Sequence, residues 1–246
     1  MPKHNVYLEL YGGSLSVLFN KQRSSIETVN DLNGEVVNLF RVIREKSDEL
    51  SFLINYTPYS REEYIKSYKE SSDDMERARR FLVRCWQGFG AANLYQNGFK
   101  SGQQSNSPNP SRAWAKLPEA LIQASERLKG VQIEQLPALE LIKRYDTKDV
   151  FIYADPPYLP ETRKNYLYKH EMNRKDHEEL LSHLLSHPGK IMLSGYDNGL
   201  YDQILAGWRK EKRDTNAENG LRRTETIWMN YEDTQLSFSD FPEVMP

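Results

Sequence analysis

Three features of this 246-residue sequence predict an α/β fold, a mostly parallel sheet with helices on both faces, interrupted by a helical insertion. Short β-branched and aromatic runs alternate with stretches whose apolar residues recur every three or four positions. Several of those runs stop abruptly at turn-forming residues, as at Gly12-Gly13 and Pro156-Pro157. From about residue 56 to residue 128 the alternation lapses, and polar helical and Gly/Asn/Ser-rich segments replace it.

Taken in order, Val6 to Leu10 reads as a strand that ends in Tyr11-Gly12-Gly13-Ser14, and Leu15, Val17, Leu18 and Phe19 fill a first helix. Ile26 to Asn30 is a second strand ending at Asp31. Asn33 caps a helix whose Val36, Val37, Phe40 and Ile43 make one apolar face. The insertion follows: a polar helix from about Tyr64 to Trp86, a long loop, and a helix near Pro118 to Leu128. The alternation then resumes with a strand at Val131 to Ile133, a helix over Ala138 to Arg144 and a strand at Val150 to Ala154. A helix near Lys175 to His187, a strand at Lys190 to Ser194 and a helix near Leu200 to Ala206 come next. Two strands close the pattern, around Trp208 to Arg213 and Thr224 to Asn230. Residues 1–55 and 129–246 therefore form one discontinuous domain, and 56–128 the insertion.

Composition bounds the function. The formal net charge is −2, and the single cysteine, Cys85, has no partner for a disulfide framework or a cysteine-rich metal site. No run approaches the roughly 18 apolar residues that span a bilayer. The expectation is a soluble, cytoplasmic monomer with neither metal nor membrane.

Charge is unevenly spread. From Arg77 to Lys116 the chain holds Arg77, Arg79, Arg80, Arg84, Lys100, Arg112 and Lys116 but no Asp or Glu. The second half, GFGAANLYQNGFKSGQQSNSPNPS, reads either as a linker with incidental charges or as a surface for nucleic acid. Phosphates attract the cations, while amides such as Asn93 and Asn97 and aromatics such as Tyr95 suit base edges and faces.

Ligands in such sheets bind beyond the carboxyl ends of the strands. After the first strand, Gly12-Gly13 is either a tight structural turn or a place where backbone approaches a ligand closely. After the second, Asp31 suits ribose hydroxyls or the cap of the next helix equally well. After Ala154 comes Asp155-Pro156-Pro157-Tyr158. Proline lacks an amide hydrogen and fixes φ, so two in succession end a ladder and stiffen the turn. That corner offers a carboxylate, carbonyls and an aromatic face, which together match an amino group on a heteroaromatic ring.

At these residues the chain resembles the Dam-like adenine-specific DNA methyltransferases. The resemblance covers nearly the whole chain: LELYGGS with NDLN, then RCWQGFG, RYDTKDVFIYADPPY, LYKHEM, KIMLSGYDN and RRTETIWMNY, in that order. It implies a Rossmann-like, S-adenosylmethionine-dependent methyltransferase sheet of seven strands with an inserted helical target-recognition domain. It further implies transfer of a methyl group to N6 of an adenine flipped out of double-stranded DNA, in a restriction-modification, phage or orphan setting, with a cognate restriction endonuclease as a possible partner.

Carried over residue by residue, the resemblance implies that Asp155, Pro156, Pro157 and Tyr158 form the catalytic corner. Asp155 and the Pro156 carbonyl accept from the N6 amine, and Tyr158 stacks on the base. Glu9, Tyr11, Gly12, Gly13, Asp31 and Asp155 surround the cofactor, and Arg84, Asn93, Tyr95, Asn97, Lys100, Arg112 and Lys116 meet DNA. Tyr166, Tyr168, Lys169 and His170 read either as a loop closing over the base or as a plain exposed loop. Tyr196 and Asp197 end a strand beside the pocket that the resemblance implies. His177, His183 and His187 recur near helical spacing and read as a solvated helix face.

Departures from the family pattern predict weaker cofactor binding. The chain starts almost at its first strand, without the Gly-Gly-Lys segment family members commonly carry there, and Leu10 and Leu15 crowd the cofactor turn. The alternative reading is a catalytically silent DNA-binding or partner-binding remnant; a third keeps the chemistry but moves it to cytosine N4 or RNA adenine.

Overall fold

A computed structural model describes residues 1–90, 96–102, 109–162, 169–216 and 222–232. Seven strands form one sheet: β1 (Val6–Glu9), β2 (Ile26–Asn30), β3 (Val131–Glu134), β4 (Val150–Ala154), β5 (Lys190–Tyr196), β6 (Arg209–Asn216) and β7 (Arg222–Met229). Their order is β3-β2-β1-β4-β5-β7-β6. The five strands from β3 to β5 run parallel, and β7 pairs antiparallel with both β5 and β6. Helices α1 (Ser16–Asn20), α6 (Ala138–Arg144), α7 (Arg174–Ser186) and α8 (Gly199–Ile204) accompany the strands. The Rossmann-like α/β expectation holds, strand by strand, to within a few residues.

Alternation sorts each strand into two faces. Leu8 of β1 and Leu10 just beyond it, Ile152 and Ala154 of β4, and Ile191 and Leu193 of β5 join Leu141, Leu180, Leu181, Leu184 and Tyr201 in one buried core. The intervening positions point to the other face. There Tyr7 and Phe151 stack with centroids 6.2 Å apart, and the row continues into polar residues: Glu9, Tyr153 and Ser194. One face therefore supplies stability, and the other carries chemistry toward the carboxyl edge.

Helices α2 (Gly34–Asn55), α3 (Arg61–Lys66), α4 (Asp74–Gln87) and α5 (Pro110–Leu128) form a second group, in which α2 packs on α4 and α5. The described residues fall into two compact units. One comprises the segments before Asn33 and after Lys129; the other is Asn33–Lys129 with Lys169. Helix α2, capped by the Asn33 side chain on the Glu35 amide as its sequence predicts, thus groups with the inserted helices.

Three local expectations are corrected. The helix expected from Tyr64 to Trp86 is two helices, because Asp73 caps a new one by accepting from the Glu76 amide at 2.7 Å. The helix expected near Pro118 begins at Pro110, capped by Asn109. Pro118 sits inside it, while Trp114 is buried and donates to the Thr57 carbonyl at 2.9 Å. Last, His177 and His187 are buried rather than solvated. His177 precedes Leu180, Leu181 and Leu184 on the inward stripe of α7 and meets the Tyr201 hydroxyl at 2.8 Å, and His187 bonds the Tyr145 carbonyl at 3.0 Å.

Candidate active site

The turns after β1 and β2 are joined by hydrogen bonds. Gly12 N donates to the Asn30 carbonyl at 2.7 Å, and Gly13 N donates to Asp31 Oδ2 at 2.9 Å. Gly13 has φ +51°, a conformation open to glycine at little cost, and nothing lies within 4 Å of where a Cβ would stand. Leu15 adopts φ +55° without being glycine, and its side chain is fully buried, so packing holds the strained end of this turn.

Asn30 is the hidden organiser of this edge. It is buried, and its amide nitrogen donates to the carbonyls of Leu10 at 2.9 Å and Leu136 at 3.0 Å. Its amide oxygen accepts from Leu136 N at 2.8 Å. One side chain thereby ties together the exits of β1, β2 and β3. In the sequence it is only the last residue of a strand.

Asp155 leaves β4 on the polar face. Ser194 Oγ donates to Asp155 Oδ1 at 2.6 Å, and the Tyr158 hydroxyl also bonds this carboxylate. Part of Asp155 reaches solvent, yet its carboxyl is deep enough that burial raises its pKa, with the bonds from Ser194 and Tyr158 opposing the rise. Pro156 and Pro157 are buried. The ring of Tyr158 meets Tyr196 edge to face, centroids 4.4 Å apart, so Tyr196 braces an aromatic plate beside the carboxylate. Asp197 takes another course. Burial, the largest single influence, raises its carboxyl, but the bonds and charges of Lys210 at 2.6 Å and Lys212 at 2.7 Å together hold it below the ordinary range.

Glu9 is almost wholly buried one strand away and accepts from the Tyr7 hydroxyl at 2.7 Å. Burial pushes its carboxyl up to about 8, the Tyr7 bond opposes the shift, and the nearby Asp155 adds to it. Glu225 on β7 is also raised, by burial first and then by Asp155.

Residues 1–218 match the family model for D12 class N6 adenine-specific DNA methyltransferases. The chain belongs to this family. It is also similar to the Type II methyltransferase M1.LlaDCHI of Lactococcus lactis subsp. cremoris, with 26% identity over 257 residues that cover 93% of this chain and 87% of that protein. As a D12 class methyltransferase the chain is an enzyme whose substrate is DNA.

Among the described residues no group of three or more His, Cys, Asp or Glu side chains is arranged to hold a metal ion, and no helix is long and apolar enough to cross a membrane.

In the helical part of this D12 class enzyme the expected basic surface is only partly outward. Arg77 pairs with Glu35 at 2.6 Å, Arg79 with Glu63 at 2.9 Å and Glu76 at 2.7 Å, and Arg80 with Glu76 at 2.6 Å. Acids outside the acid-free window thus neutralise its first half, Glu76 by i,i+3 and i,i+4 pairs along α4 and Glu35 and Glu63 through helix packing that linear order conceals. Arg84 lies against the Tyr68 and Phe81 rings and donates to the Ser67 carbonyl. Arg112 and Lys116 are exposed one turn apart on α5. Lys100 lies where its amide bonds the Gln87 carbonyl at 2.8 Å, and Asn97 donates to the Phe89 carbonyl at 3.2 Å. Asn93 and Tyr95, with Tyr166 and Tyr168, lie outside the described residues; Lys169 and His170 are exposed.

Proposed function

We propose that this D12 class enzyme transfers a methyl group from S-adenosylmethionine to N6 of an adenine flipped out of duplex DNA, in a restriction-modification, phage or orphan setting. The observation that carries the reading is Asp155: a carboxylate anchored by Ser194 at the carboxyl edge of the sheet, next to the Tyr158–Tyr196 aromatic pair.

The residues at the first two strand exits fit the cofactor. Gly13 has open space where any other residue would place a Cβ, and the half-exposed Asp31 carboxylate stands beside it, suited to ribose hydroxyls. Tyr11 and Gly12 frame the same turn, with Glu9 beneath. When bound, S-adenosylmethionine supplies an electrophilic methyl group on a sulfonium. The chain's own residues do the rest. Asp155 and the Pro156 carbonyl accept the two hydrogens of the adenine amine, which draws the nitrogen lone pair out of ring conjugation. Tyr158 stacks on the extruded base. As positive charge develops on N6, the Asp155 carboxylate interacts with it more strongly, so the stabilisation is greater in the transition state than in the ground state. The inserted segment, through Arg84, Asn93, Tyr95, Asn97, Lys100, Arg112 and Lys116, supplies target recognition.

Transfer of tritiated methyl from S-adenosylmethionine to defined duplexes tests this reading. Label is expected on adenine-bearing strands and not on strands whose only candidate acceptor is cytosine. Label on cytosine alone, or none with duplex binding retained, rejects it.

A further inference from the structure

Three side chains on the polar face of the sheet form one line of hydrogen bonds. The short 2.6 Å contact commits the single hydroxyl hydrogen of Ser194 to Asp155 Oδ1, the length expected of a bond to a charged acceptor. The Ala154 carbonyl, at 3.4 Å from the same oxygen, is the poorer acceptor. Tyr153 places its hydroxyl 3.3 Å from Ser194 Oγ, and with the serine hydrogen engaged the tyrosine is the donor there. The line therefore runs from Tyr153 through Ser194 to Asp155. Strand geometry explains it: Tyr153 and Asp155 are two residues apart, and pairing of Ala154 with Leu193 brings Ser194 alongside.

We propose that Ser194, backed by Tyr153, is a positioning residue for methyl transfer, fixing the Asp155 carboxylate in the orientation that meets the adenine amine. This rests on the assignment of Asp155 to that amine. A carboxylate accepts hydrogen bonds from an amine, whereas a protonated acid presents a donor, so the same contact has a second role. The charge of Asp155 acts on Glu9 of β1, Glu225 of β7, Tyr201 of α8 and Tyr153 of its own segment, and Tyr158 bonds it directly. Burial works against its charge, and the bonds from Ser194 and Tyr158 are what sustain it. Removing Ser194 thus both frees the side chain to rotate and makes it easier to protonate.

The test uses the full chain, tritiated S-adenosylmethionine and plasmid DNA free of adenine methylation, with Ser194→Ala, Ser194→Thr, Tyr153→Phe, the Ser194→Ala/Tyr153→Phe double variant and Asp155→Asn. Ser194→Ala is expected to lower kcat on the order of 10- to 100-fold, with KM for the cofactor unchanged and the acid limb of the kcat profile moved to higher pH. Ser194→Thr restores both. Tyr153→Phe shifts the limb the same way by less, and the double variant is no worse than Ser194→Ala, because the tyrosine acts through the serine. Wild-type kcat and pH profile in Ser194→Ala, or loss in the double variant equal to the product of the single losses, overturns the proposal. If Asp155→Asn is inactive while Ser194→Ala matches wild type, only the relay fails; if Asp155→Asn turns over normally, the assignment of Asp155 itself fails. A carbon-13 titration of the Asp155 carboxyl reads the same contact without turnover: a pKa raised in both Ser194→Ala and Tyr153→Phe supports the relay, and an unmoved one in both overturns it.

Discussion

The Gly13 amide donates to the Asp31 carboxylate at 2.9 Å, joining the turn after β1 to the turn after β2. Gly13→Ala separates the turn's two roles. With φ +51° and no atom within 4 Å, the new methyl costs folding only its backbone strain, about 1 kcal/mol. The same methyl fills space assigned to the cofactor. Equilibrium dialysis is expected to show S-adenosylmethionine affinity falling at least tenfold while the urea midpoint moves little; unchanged affinity removes the cofactor from this turn.

Asp155→Ala is expected to abolish methyl transfer while leaving duplex affinity intact. Filter binding beside the transfer assay checks both halves, and retained turnover would place the chemistry elsewhere.

Asn30 is bonded to Leu10 and Leu136 through both ends of its amide. Asn30→Leu strips the buried Leu10 carbonyl and the part-buried Leu136 carbonyl and amide of these partners, at a cost of roughly 1–3 kcal/mol. Urea unfolding measures the loss, and a variant as stable as wild type contradicts this account of the strand exits.

Glu9 gives a pH signature to stability. Its carboxyl titrates from an ordinary 4.5 in the unfolded chain to about 8 in the folded one, chiefly because it is buried. The folded form therefore keeps a proton that the unfolded form releases across that interval. Its contribution to stability is full below about pH 4.5 and declines as pH rises toward 8. Glu9→Gln keeps an acceptor for Tyr7 and removes the titration, so its unfolding free energy should vary less with pH between those limits. Equal slopes for both proteins would show that Glu9 ionises normally.

Arg112 and Lys116 present two cations on the outer face of α5. Replacing either with alanine should weaken duplex binding similarly for all sequences and reduce the slope of log K against log salt by about one. A slope that does not change would mean that this face makes no phosphate contact.

Much of the fold was legible because strands and helices leave local marks. The ranges of β2, β4 and α6 follow from apolar runs and their punctuation, and Asn33 announces its own helix. The breaks were less legible. Asp73 is one acid among several until its carboxylate is seen capping the Glu76 amide, and Pro118 reads as a helix start although Asn109 had already supplied one. Basic residues misled more. Charge counted along a window omits Glu35, Glu63 and Glu76, which lie before it in sequence and against it in space.

By itself the sequence determined the alternating α/β pattern, the proline-stiffened end of β4 and the presence of Asp155, because period, propensity and missing amide hydrogens are properties of neighbouring residues. Only the tertiary structure decided that Ser194 holds Asp155, that Asn30 ties three strand exits, and that Arg77 and Arg79 of the basic window pair with Glu35 and Glu63. Those contacts join residues from 16 to 106 positions apart, and no local rule encodes them: sheet register and helix packing bring the partners together, and burial then makes each hydrogen bond costly to lose.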